Sequence, residues 1–357
     1  MTDLMKPLNH EPVEIFKKNI ALVGAGTFDK SSAFVNGYKQ NVHFFHHFFK
    51  KHFSEYNLIL INNADDLFKS VFEIDLFIQF TPFDKTLENY IKTKHPNHKS
   101  VFVKYGHEYY IDLSRLLPEG QNNVIHSPKA HNINEVWISP HFESTKYYYE
   151  AIYNAKVKIA PFIWKPDVIT MSSFIKSDFE NCEKNIYIVE PHINTLKTAL
   201  IPILIVNELY KKYPHSFNKL YIVSNNSYPK NQYFNKELLS KIEVCHGANN
   251  KTFFCKRAAF PDIFKNPAIL LSHQENCGLN YMYLEALHIR IPWVHNSPFF
   301  KDSGYYYTDK NIPEGVLALK KALDEFKPVN NSHILKKYDS ENPIIINKYK
   351  EMIDNLI

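Results

Sequence analysis

Short apolar runs alternate with helical patterns along this chain, stop near residue 162, and start again at Asn185. In the first half the predicted strands are Asn19–Gly24, Asn57–Asn62, Asp75–Phe80 and Ser100–Lys104, with shorter ones at Glu135–Ser139 and Val157–Ala160. A polar loop from Thr27 to Gln40 leads into Asn41–Tyr56, where Val42, Phe45, Phe48, Phe49 and Phe53 keep helical spacing. Thr86–Lys94 reads as a second helix. Strands spaced by helices dictate a parallel sheet with right-handed crossovers. After a linker over Asp167–Lys184 the rhythm resumes: strand Asn185–Pro191, helix Thr195–Tyr213, strand Leu220–Ser224, helix Asn235–Lys241. The expectation is an α/β protein of two Rossmann-like, doubly wound domains, residues 1–165 and 185–330, followed by a helical segment over 331–357.

Composition supports two real cores. Of the 357 residues 45% are hydrophobic, and no stretch has a disordered composition. Glycine is scarce, nine residues where average usage gives roughly twenty-five, so each one is suspected of holding a demanding backbone position. The net charge of +5 is spread along the chain and makes no basic stripe, which argues against a nucleic-acid partner. Cys182, Cys245, Cys255 and Cys277 show no paired spacing, which fits free thiols in a reducing, cytoplasmic setting. The longest apolar stretch, Ala199–Val206, contains Pro202 and falls far short of the ~20 residues of a membrane span. No signal peptide is expected, and peripheral membrane contact stays open.

The segment from Leu270 to Tyr307 carries the chemistry. The apolar run Ala268–Leu271 ends in Ser272-His273-Gln274-Glu275-Asn276-Cys277-Gly278, then a helix, Leu279–His288, then the strand Ile291-Pro292-Trp293-Val294 and a second polar loop, Val294–Pro298. Ligands of open α/β sheets bind at the carboxyl ends of strands, where helix N-termini offer free N–H groups to anions. Gly278 would let the backbone approach a ligand where a Cβ would obstruct it. Elsewhere, Gly24-Ala25-Gly26-Thr27-Phe28-Asp29 begins like a dinucleotide fingerprint but has Asp29 in place of the third glycine. His107, at the end of the Ser100–Lys104 strand, is a candidate base, and His141 has a lesser claim. The spacing of His43, His46 and His47 could chelate zinc, but the interleaved Phe residues and adjoining lysines favour a solvated face. No metal site is expected. No Asp-x-Asp occurs, and no cofactor is expected beyond a co-substrate.

The Leu270–Tyr307 segment resembles the donor-binding part of GT-B glycosyltransferases, in particular the retaining nucleotide-sugar-dependent group. The resemblance rests on Glu285 within the helix and on Ile291-Pro292-Trp293-Val294 after it. Glu275 and Glu285 lie ten positions apart, and Cys277 stands eight before Glu285. The resemblance implies a metal-independent transferase that moves a sugar from a nucleotide diphosphate to a glycan or other hydroxyl acceptor across an inter-domain cleft. It implies ribose binding by Glu285 and diphosphate binding by Lys197 and Arg257. Donor contacts are implied for His273, Gln274, Asn276, Gly278, Asn280, Asn296 and Ser297, and a catalytic role for Glu275 beside His107. The first loop, with Gly26, Asn36, Gly37 and Gln40, would hold the acceptor. Two other readings stand beside it: a non-catalytic sugar-nucleotide or glycan-binding protein, and a nicotinamide-dependent oxidoreductase.

Overall fold

The computed structural model describes residues 17–24, 37–116, 129–166, 179–190, 195–224, 227–246, 251–330 and 332–357. Among these, twelve strands form two six-stranded sheets, parallel throughout.

The first lobe contains β1 (Asn19–Val23), α1 (Gly37–His52), β2 (Asn57–Ile61), α2 (Ala64–Lys69), β3 (Leu76–Gln79) and α3 (Lys85–Lys94). It continues with β4 (Lys99–Lys104), α4 (Glu108–Leu116), β5 (Glu135–Ile138), α5 (Lys146–Tyr153) and β6 (Lys156–Ile159). Its strand order is β2-β1-β3-β4-β5-β6. The inner strands are covered on both faces, which is why Leu76–Gln79 and Glu135–Ile138 are buried without alternation. Helix α1 begins at Gly37, inside the stretch expected to be loop, and the Asn41 side chain donates to the Gly37 carbonyl at 2.6 Å. It stops at His52 rather than Tyr56, because Asn57 N–H already donates to the Lys18 carbonyl as β2 joins the sheet.

The second lobe contains β7 (Ile186–Val189), α6 (Leu200–Lys212), β8 (Leu220–Ser224), α7 (Ser227–Lys230), β9 (Thr252–Lys256), α8 (Phe260–Ile263), β10 (Ile269–Leu271), α9 (Tyr281–Ile289), β11 (Trp293–His295), β12 (Tyr305–Tyr306) and α10 (Ile312–Glu325). Its order is β12-β11-β10-β7-β8-β9. Helix α6 starts five residues later than expected for a clear reason. Pro202 lacks an N–H and is tolerated only in a first turn, where that group has no helical partner. The expected helix Asn235–Lys241 is instead one π turn, Phe234–Leu238, and one 3₁₀ turn, Leu239–Lys241. Strands β9 and β12 were not anticipated; both are edge strands, and β12 has only two residues.

Helices α11 (Ser332–Tyr338) and α12 (Pro343–Asp354) carry the chain back to the first lobe. The Tyr349 ring lies 5.3 Å from Phe45, 5.2 Å from Phe48 and 5.9 Å from Trp137, and its hydroxyl donates to the Pro161 carbonyl at 2.7 Å. One continuous apolar core joins the lobes, with Tyr281 packed against Phe44 and Phe162 at 5.0 and 4.7 Å. Most of the linker, residues 167–178, lies outside the described residues.

Candidate functional site

The site forms where strand order reverses. In the second sheet β7 lies between β8 and β10, and the chain leaves β7 and β10 in opposite lateral directions. The residue that β7 delivers there is Glu190, completely buried. Its carboxylate accepts from Ser272 Oγ at 2.6 Å and from Gln274 Nε2 at 2.5 Å, both on the β10–α9 loop. Burial pushes the carboxyl up to about 7, against the lowering effect of those bonds and of Lys197. Sequence reasoning left Glu190 unassigned. The available signal was an acidic residue directly after an apolar strand.

Much of the β10–α9 loop satisfies itself. Asn296 Oδ1 accepts from the Gln274 N–H at 2.9 Å, and Asn296 Nδ2 donates to the Gln274 carbonyl at 3.2 Å. Ser297 Oγ donates to the Gly278 carbonyl at 2.6 Å. A Cβ on Gly278 would stand 3.0 Å from Phe299, 3.1 Å from Ser297 Oγ and 3.2 Å from Pro298. The neighbouring loop therefore by itself leaves little room for a side chain at this position. Asn280 caps α9, its Oδ1 accepting from the Met282 N–H at 3.2 Å.

His273 and Glu275 face another way. The His273 ring is 3.0 Å from the Tyr307 hydroxyl and 2.9 Å from Glu275 Oε1, and Lys310 reaches Glu275 Oε2 at 2.9 Å. The His273 bond, with Lys310 behind it, holds the Glu275 carboxyl below its ordinary range. Asn276, at φ 50°, donates across the cleft to the Tyr110 hydroxyl at 2.8 Å.

A cavity of about 130 Å³ lies between the lobes. From the second lobe it is lined by Glu190, Lys197, Arg257, Asn280 and Glu285, and from the first by Gly37 and Gln40 on α1. Glu285 is buried on α9, and Gln40 Nε2 donates to its Oε1 at 2.9 Å. Burial pushes this carboxyl too up to about 7, with the Gln40 bond opposing. The cavity thus gathers two cations and two buried carboxylates around Asn280. A larger, mostly apolar hollow by Pro161, Phe162, Tyr338 and Ile345 also has Lys337, Lys348 and Glu351 in its lining, but all three are exposed, and it holds no buried carboxylate.

His107 precedes α4, buried, 4.4 Å from the Tyr110 ring and 4.8 Å from Phe142. Neither ring nitrogen has a partner among the described residues. Burial drives its pKa down to about 4, so it is neutral and weakly basic at neutral pH. His141 is held well below its usual range by burial first and then by the nearby charge of Lys197. Neither histidine lines the cavity. Gly26 and Asn36 lie outside the described residues. Among the described residues no cluster of metal-ligating side chains forms, the cysteines make no disulfide, and no helix is long and apolar enough to cross a membrane.

The family described as protein of unknown function (DUF2827) matches residues 23–353. The chain belongs to the DUF2827 family. No curated protein matches this DUF2827 sequence. Among solved structures it is similar to sucrose-phosphate synthase from Thermosynechococcus elongatus, with a TM-score of 0.55 and 9% identity over 95% of this chain and 99% of that one. The N-terminal domain of Candida albicans trehalose-6-phosphate phosphatase gives a TM-score of 0.55 and 12% identity, covering 95% and 96%. A trehalose-6-phosphate synthase gives 0.53 and 12%, covering 82% and 77%. The chain spans little over half of some others, 55% of S. aureus TarM and 57% of a pneumococcal O-GlcNAc transferase. With its two parallel sheets, this DUF2827 chain has the GT-B fold.

Proposed function

We propose that this protein transfers a sugar from a nucleotide-diphosphate donor to a hydroxyl acceptor. The observation that carries the reading is the inter-lobe cavity, which brings Lys197 and Arg257 together with Glu285 at the switch point between β7 and β10. Two cations suit a diphosphate, with the planar guanidinium of Arg257 the more selective ligand. A buried carboxylate suits the paired hydroxyls of a ribose. Two similar structures are named as a trehalose-6-phosphate synthase and a sucrose-phosphate synthase, which agrees with the reading. Catalysis would consist of positioning and of charge stabilisation on the departing diphosphate by Lys197 and Arg257. The acceptor, a glycan or other hydroxyl compound, would enter from the first-lobe side. No metal is required in this scheme, and four free thiols fit an intracellular setting.

The test is a thermal-shift and calorimetric screen of UDP-, GDP-, TDP- and CMP-sugars, because a ligand of the native state raises the melting temperature. Glu285→Gln should weaken the bound donor by roughly 1.5–3 kcal/mol, about ten-fold or more. Unchanged donor binding in that variant would remove the main residue-level support. Turnover should survive EDTA; loss on chelation with recovery on manganese would overturn the metal-free scheme.

A second reading, a sugar-nucleotide binder without catalysis, is favoured by one observation. Glu275 is occupied by His273 and Lys310, and Cys277 stands eight positions before Glu285. Donor hydrolysis in the absence of acceptor separates enzyme from binder.

A further inference from the structure

Gln40 comes from α1 in the first lobe, yet its amide serves a residue of the second. Its Nε2 donates to Glu285 Oε1 at 2.9 Å, and both side chains line the same cavity. Glu285 is 3% exposed. Among the described residues Gln40 is its one donor, so the other carboxylate oxygen has none. A buried carboxylate ordinarily gathers several donors, because each lone pair left without one adds to the cost of desolvation. Two further features hold Gln40 in place. Helix α1 is fastened to α9 by the Tyr281 hydroxyl, which donates to Asn41, and by the Phe44–Tyr281 contact at 5.0 Å. Tyr281 and Glu285 are four residues apart on α9, one helical turn, as are Gln40 and Phe44 on α1. The two helices therefore meet as a matched pair of turns, and the Gln40–Glu285 bond belongs to that register.

We infer that Gln40 is a positioning residue for Glu285: it fixes one carboxylate oxygen from across the cleft and leaves the other to accept the hydroxyls of a nucleotide's ribose. This assigns Gln40 to the donor site rather than to the acceptor, and it rests on the donor-site reading above. It also ties ribose recognition to the packing of α1 on α9 across the two lobes. The raised Glu285 carboxyl fits this role, because burial drives it up while Gln40 is the only cause that lowers it. Ribose hydroxyls would complete the donor set and favour the ionised form.

The experiment compares UDP and GDP with their 2′-deoxy analogues by calorimetric titration of wild type, Gln40→Met and Gln40→Lys. Met keeps the length and removes the donor; Lys restores a donor. Wild type should prefer a ribonucleotide to its deoxy analogue by about ten-fold, the value of one hydrogen bond to a charged group. Gln40→Met should bring that ratio near one, with ribonucleotide affinity falling toward that of the deoxy form, and Gln40→Lys should recover it. Melting curves accompany each titration, and a purely structural role would change stability while leaving the ribo-to-deoxy ratio alone. A ratio unchanged in Gln40→Met overturns the inference. So does ribonucleotide binding that tightens in that variant, since Gln40 would then compete with the ribose. If wild type binds UDP or GDP but shows no preference for ribose, it is the placement of ribose at Glu285 that fails.

Discussion

Glu190 and Glu285 share an unusual electrostatic position. Each is buried, and burial raises each carboxyl to about 7. The folded state therefore holds protons that the unfolded chain, with carboxyls near ~4.3, has already released. Stability linked to these groups is fully present below about pH 4 and is lost as pH rises through about 7, with each group contributing on the order of 3 kcal/mol. The melting temperature of wild type should fall between pH 5 and 8. Glu190→Gln should flatten that slope, because the amide carries no charge at any pH and Gln274 can turn its own amide to match. The double variant with Glu285→Gln should flatten it further. Melting curves across that range decide the matter, and a variant slope equal to wild type would show that Glu190 is ionised in the folded protein throughout.

Elements in the second lobe pack close enough for a single methyl to matter. Helix α10 crosses α6 at Gly315, where a Cβ would stand 2.5 Å from Ile205 Cδ1 and 2.9 Å from Cγ1. Alanine has the better helix propensity by about 1 kcal/mol, whereas overpacking costs about 1–3 kcal/mol. Gly315→Ala should therefore be net destabilising, and Ile205→Val in the same chain should recover part of the loss. Urea denaturation of both singles and the double gives the coupling. Independent, additive effects would mean that the helices simply move apart. This contact also shows why glycine scarcity was a sound but incomplete clue. It put every glycine under suspicion alike; Gly278 and Gly315 are hemmed in by side chains remote in sequence, whereas a Cβ on Gly37 would meet nothing within 4 Å.

Across the whole molecule, the return of α12 to the first lobe joins the two halves. Tyr349 fills the space between α1 and Trp137, and Glu341 is held by Lys51 at 2.6 Å and Lys165 at 2.7 Å. Tyr349→Ala should cost about 3–5 kcal/mol through the cavity it leaves. Tyr349→Phe should cost only about 1 kcal/mol, since it loses the bond to the Pro161 carbonyl and keeps the packing. Equilibrium denaturation of the pair checks both, and similar values would mean that the hydroxyl, not the ring, anchors the helix.

The sequence by itself determined the two parallel sheets. Strands covered on both faces carry apolar runs, so Leu76-Phe77-Ile78 in β3 and Ile269-Leu270-Leu271 in β10 declare themselves. It also located the polar loop after β10, because the apolar run Ala268–Leu271 gives way abruptly to Ser272-His273-Gln274-Glu275-Asn276. The edge strands β9 and β12 were not legible: β12 has only two residues, and β9, Thr252–Lys256, is mostly half-buried or exposed and so lacks a buried apolar run. Nor was the division of labour within the loop. Asn296 and Ser297 could each have faced a ligand, and only the approach of two loops separated by a helix turns their side chains to the backbone of Gln274 and Gly278. Glu190 became a site residue because β7 sits beside β10, and Gln40 met Glu285 because α1 packs on α9. Those contacts join residues far apart in the chain. They exist only once both lobes have folded and packed together, and no local pattern of residues encodes them.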